Sequence, residues 1–186
     1  MKNLFTRTLF TLLILFTLSN NTYSQIFHIN EKGNPEISLE KYMSARINGI
    51  VQLKDIRYPD DNFDCLKPLG EPREKDLIIH EGVGETITFK YLGFEIRYGA
   101  LSQPEFVLTG IEFYGSGSVG LKIDNENTLR TGNPIESYIK NAEFAGLNFT
   151  DQEKITVDVP EDDGVRILID LEDGIIKKMV LRFIRR

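Results

Sequence analysis

Two histidines, one cysteine and scattered carboxylates are the residues in this chain that could do chemistry, and their spacing decides how much. His28 and His80 stand in neither H-x-x-x-H nor H-E-x-x-H order, so a zinc site would lack ligands. His80 precedes Glu81, but no G-x-S-x-G turn offers it a nucleophilic serine, and both histidines read as surface residues. Gly115, Gly117 and Gly120 fit the spacing G-x-G-x-x-G. A dinucleotide site needs a helix N-terminus after that turn to hold the pyrophosphate, whereas Val119 to Ile123 reads as a strand, so a linker is expected. Asp124, Glu126 and Thr128 begin like a calcium loop. Leu129 then stands where the sharp turn needs glycine, and Ile135 where the bidentate glutamate belongs.

Glu161, Asp162, Asp163 and Gly164 read as a solvated turn. Cys65 lies among apolar neighbours as a small hydrophobe, and as the only cysteine it can form no internal disulfide. Paired carboxylates for glycoside hydrolysis are defined by distance in space, so an enzyme built from distant carboxylates stays open as a third-ranked class. The chain has no tryptophan to line a sugar subsite. No cofactor and no metal are expected.

The elements that must position any site are clearest at the C-terminus. From Val165 to Ile184, Val165, Ile167, Ile169 and Leu171 alternate with polar residues, and Met179, Leu181 and Phe183 do so after Asp173-Gly174. A period of two around an Asp-Gly pair specifies a β-hairpin with one apolar face. Upstream, Ile87, Phe89 and Tyr91, then Phe94, Ile96 and Tyr98, then Val107, Ile111 and Phe113 predict a three-stranded meander. Ile155, Val157 and Val159 supply a strand before the hairpin. Ile26 to Ile29 predicts an edge strand, and the stretch from Leu77 to His80 reads as part of a polar connection.

Helices are predicted in three places. Ser38 caps one carrying Leu39, Tyr42 and Met43, which Asn48-Gly49 would stop, although Ile47 to Ile56 is equally strand-like. Phe63, Leu66 and Leu69 mark a short one disturbed by Pro68. Asn133-Pro134-Ile135-Glu136 opens a third over 133–143, with Ile135, Tyr138, Ile139 and Ala142 on one face and Gly146 just beyond its end.

Helix and three strands thus recur at an offset of about 70 residues, giving possible repeats near 60–114 and 130–186. The expected fold is α+β, an antiparallel sheet from two tandem αβββ units with helices packed on one face. If Ile87, Phe89, Ile96, Ile111, Val157, Ile167, Leu181 and Phe183 face the helices, the other face carries Lys90, Glu95, Arg97, Glu112, Tyr114, Arg166, Asp170, Lys178 and Arg182. Antiparallel sheets commonly leave one face wet. Arg97, Glu112, Tyr114, Arg166, Asp170, Lys178 and Arg182 are the candidate partner-binding residues, because arginine and tyrosine are enriched at interface hot spots.

Lys2 and Arg7, an apolar block from Leu9 to Leu18, and small polar residues Thr22 and Ser24 predict a secretory leader, 1–24, cut before Gln25. The apolar block is about half the roughly 20 residues a membrane-spanning helix needs, so no transmembrane anchor is expected after cleavage. Residues 25–186 then form one domain, secreted or periplasmic. The whole chain has 22 basic and 28 acidic residues, and the leader removes two bases, so the mature net charge is −8. That balance argues against nucleic acid as a partner.

The order helix, strand, strand, strand, used twice around one sheet with the capped start LRTGNPIESYIK, resembles the β-lactamase inhibitor protein and the small outer-membrane assembly lipoproteins over roughly residues 50 to 186. The resemblance implies that the chain acts by binding another exported or envelope protein. That inhibitor's paired cysteines are absent, so its inhibitory residues are not carried over. A non-catalytic binding or inhibitory module ranks first and an envelope-assembly scaffold second.

Overall fold

A computed structural model describes residues 26–81, 84–101, 105–115, 117, 119–125, 127–139 and 148–183. The predicted leader, the Pro104 loop and the predicted helix beyond Ile139 lie outside the described residues. Of those described, 49% are strand and 14% helical. The expected α+β arrangement of two αβββ units with helices layered on one face is therefore overturned: this is a mostly β protein.

The C-terminal hairpin is present as β12 (Val165–Glu172) and β13 (Ile175–Phe183), with β11 (Lys154–Asp158) beside β12. Asp173 and Gly174 take φ of 52° and 73° at its turn, as two positive-φ positions in a two-residue hairpin require. The upstream meander is β6 (Gly84–Tyr91), β7 (Phe94–Leu101) and β8 (Val107–Tyr114). β8 lies directly against β13, so the two meanders join into one sheet through their last strands. β5 (Glu74–His80) extends one end, and β2 (Pro35–Glu36) with β1 (His28–Ile29) extends the other. The order across nine strands is β1-β2-β11-β12-β13-β8-β7-β6-β5, antiparallel except between β2 and β11.

A second, four-stranded sheet runs β10-β9-β3-β4, from Thr128–Arg130, Gly120–Lys122, Arg46–Ile47 and Val51–Gln52. Together with α1 (Leu39–Ser44) and 3-10 turns at Leu53–Ile56, Asp64–Leu69 and Ile135–Tyr138, it forms a layer against one face of the large sheet. Aromatic contacts mark the junction. The Tyr42 ring lies 5.5 Å from Phe183, and Phe63 lies 4.9 Å from Phe89 and 5.1 Å from Tyr98. All eight residues assigned inward from their alternation are buried, but they pack under this mixed layer rather than under helices.

Each predicted helix departs from expectation for a local reason. Ser38 does cap α1, accepting from the Lys41 amide at 3.4 Å, and the helix ends before Ala45. Asn48 and Gly49, at φ 52° and 73°, make the β3–β4 turn instead of a helix stop. Phe63, Leu66 and Leu69 recur every three residues, which is the period of the 3-10 helix that forms there. At the third site the backbone of residues 132–135 is claimed by the hairpin: Gly132 N–H donates to the Ile176 carbonyl and Ile176 N–H to the Asn133 carbonyl. Asn133 does not cap; its Nδ2 donates to Tyr138 Oη at 2.6 Å, and Ile139 pairs with Phe27 as a β-bridge.

Candidate functional site

The register of the nine-stranded sheet sorts the outward side chains into rows. One row runs Arg97, Gly110, Arg182, Arg166, Asp158 across β7, β8, β13, β12 and β11. Their neighbours along each strand, Ile96, Ile111, Leu181, Val165 and Val157, are buried on the other face, which fixes the direction of the row. A second row places Glu95, Glu112, Val180 and Leu168 side by side, and a third Tyr114, Lys178 and Asp170. All seven candidate partner-binding residues therefore share one face.

Their charges are unevenly matched. Glu112 sits between two cations: its Oε2 is 3.2 Å from Arg97 Nη2 and its Oε1 2.6 Å from Lys178 Nζ. Arg97 also contacts the Glu95 carboxylate. Arg166 and Arg182, by contrast, are direct cross-strand partners of the same sign. Arg166 Nη2 donates to the Asp163 carbonyl oxygen at 3.2 Å, while its Nε is buried without a partner among the described residues. The Arg182 side chain makes no ion pair or hydrogen bond among the described residues.

Gly110 is the floor of this arrangement. Flanked by Arg97 and Arg182 one strand away on either side, it leaves an open cleft of about 610 Å³ walled by Thr109, Glu112, Lys178 and Val180. Neighbouring strands are about 4.8 Å apart, so the two arginines straddle a gap of about 10 Å at the backbone. A bulge sets its rim: Arg97 pairs with Gly110 but Tyr98 with Leu108, which leaves Thr109 as the extra residue, its hydroxyl donating to the Arg97 carbonyl. Tyr114 lies outside the cleft lining, across from Lys178 on the same face; burial raises its pKa, with Glu95 and Glu112 adding to the shift. Two guanidinium groups around an uncovered floor can receive a carboxylate or another small oxyanion bidentately.

Alternation marked the polar positions of this face but missed Gly110, Thr109, Val180 and Leu168. Gly110 did carry a signal, since a glycine inside a strand often marks a close approach by another backbone or a ligand. The outward apolar pair Val180 and Leu168 breaks the alternation that was used to find the face.

The other motifs are used structurally. Gly120, the last glycine of the G-x-G-x-x-G spacing, opens strand β9, and a Cβ there would come within 2.6 Å of the Leu129 carbonyl. Asp124 accepts from the amide of Asn127 at 2.9 Å. Glu161 accepts from the Leu39 amide at the start of α1, and Asp162 from the Gly164 amide. Cys65 is half-buried, and burial pushes its thiol pKa up. His28 faces Glu36 at 3.2 Å, and His80 is exposed at the end of β5. Among the described residues no helix is long and apolar enough to cross a membrane. No family model, curated protein or solved structure matches this chain.

Proposed function

We propose that this chain is an exported binding module that docks an acidic segment of another exported or envelope protein onto the outer face of its large sheet. The observation that carries the reading is the cation-rich row: Arg166 against Arg182, with Arg97 beyond the bare Gly110 and Asp158 the one carboxylate in the row. Like charges directly opposite each other lower sheet stability, so a face that served only solubility would alternate its signs there. The excess cation is satisfied when a partner supplies the carboxylates. Val180 and Leu168, cross-strand partners, give such a partner apolar contact beside the charges, and Tyr114 stands on the same face across from Lys178.

A long polyanion fits less well than a short acidic segment, because the body carrying this row has a net charge of −8 after removal of the leader. Export is supported by the leader and by the position of the cut. Ile26, two residues beyond Ser24, is already buried and donates its N–H to the Tyr138 carbonyl at 3.0 Å, so cleavage before Gln25 would leave the core whole.

Chemical crosslinking in the exported fraction tests the reading, comparing the wild type with Arg182→Glu and with Lys32→Glu, an exposed change in the β1–β2 turn. The expected result is one crosslinked partner kept by the wild type and Lys32→Glu, lost with Arg182→Glu and weakened by salt. A partner captured equally by all three would move the site off this face.

A further inference from the structure

The large sheet ends on one side in a strand whose protecting charges are confined to its first three residues, Glu74, Lys75 and Asp76. β5 is seven residues long and pairs only with β6. Its backbone groups on the side turned from β6 have no partner strand among the described residues. The opposite edge, β1, has two residues. At the end of β5, Leu77, Ile78 and Ile79 are 55%, 51% and 66% exposed. Leu77 aligns with the buried Ile87 and so belongs with Ile79 to the inner face, while Ile78 lies on the outer face, leaving the edge apolar on both sides. Edges of this kind are templates for pairing with another strand.

We infer that β5 pairs antiparallel with β5 of a second copy of this chain, about a two-fold axis through Ile78. The two-fold runs perpendicular to the sheet, so inner residues meet inner and outer meet outer, and the axis must fall on a residue. Centred on Ile78, it sets Leu77 against Ile79, Asp76 against His80, and Lys75 against Glu81, the first residue past the strand. Apolar residues meet apolar ones, polar residues meet polar ones, and Lys75 meets a residue of opposite charge. Centred on Leu77 instead, it would set Asp76 against Ile78 and Lys75 against Ile79, opposing charged to apolar side chains. A two-fold contact is self-complementary and closes at two copies, and the described residues of each chain hold one long free edge, so the assembly stops at a dimer. It would join two nine-stranded sheets into one and carry two copies of the arginine row, although the pairing does not depend on what that row binds.

Sedimentation equilibrium of the protein without its leader, from micromolar to millimolar, reads the association, with circular dichroism melting to check each variant's fold. The wild type is expected to dimerise reversibly. Ile78→Lys puts two ammonium groups across the axis and is expected to weaken the dimer about tenfold or more with little change in melting. Lys75→Glu places carboxylates opposite each other at both ends and weakens it, and adding Glu81→Lys restores opposite charges and the affinity. A wild type that stays monomeric at millimolar concentration overturns the inference. So does a dimer indifferent to Ile78→Lys, or one that the double exchange does not restore.

Discussion

Arg182→Glu should make the protein more stable while removing the function proposed for its outer face. Arg182 and Arg166 are paired residues on β13 and β12, and the side chains of such a pair start about 5 Å apart. At that separation two unit charges in water repel by roughly 0.8 kcal/mol, so exchanging repulsion for attraction changes the energy by roughly 1.7 kcal/mol. Screening with a Debye length of about 8 Å at physiological salt reduces this to a gain of about 0.9 kcal/mol, in line with exposed ion pairs generally. Urea unfolding at low and high salt measures it. Arg182→Gln should gain about half as much, and the benefit of Arg182→Glu should vanish in an Arg166→Gln background. A loss of stability, or a gain that persists without Arg166, would refute the reading of the two arginines as a mutually repelling pair.

Further outcomes follow from the same structure. Leu181, fully buried between the registers of Ile111 and Ile167, should cost about 2–5 kcal/mol on replacement by alanine, against about 0.5 or less for the exposed Thr156→Ala, both by urea unfolding. Equal costs would mean that the two faces are misassigned. Tyr42→Phe should be neutral or raise stability by about 1 kcal/mol, because the buried Tyr42 hydroxyl has no hydrogen-bond partner among the described residues; a loss above that amount would reveal one. Lys90 hydrogen-bonds Asp76 and Glu74, which raises its own pKa and lowers that of Asp76. Asp76 therefore contributes stability above its unfolded pKa of about 3.9, lost as pH falls through the lower folded value; Lys90 contributes below about 10.4, lost as pH rises through its higher folded value. Lys90→Met should return the Asp76 titration, followed by carboxyl NMR, toward the ordinary range, and an unmoved titration would exclude Lys90 as the cause.

The strands were legible where one face is dry and the other wet. Ile167, Ile169, Leu181 and Phe183 alternate with polar neighbours because each meander strand has the second layer on one side only, and the same alternation located the outward arginines. β5 was missed because its exposed residues, from Glu74 to His80, carry no burial contrast for a period of two to register. The helices were overestimated because caps such as Asn133-Pro134 report local preference, whereas the hairpin's backbone hydrogen bonds at residues 132–135 decided the outcome. The arginine row itself depends on register between strands distant in sequence. Nothing near Gly110 says that Arg97 and Arg182 will flank it.

An NMR titration of the protein with a short glutamate-rich peptide most directly tests whether that row is a receptor for acidic segments. Saturable shifts are expected at the Gly110 amide and at the Arg97 and Arg182 guanidinium groups, absent with a lysine-rich peptide and abolished by Arg182→Glu. No response at Gly110, or shifts confined to the other cationic cleft around Lys41, Arg46 and Lys122, would contradict it.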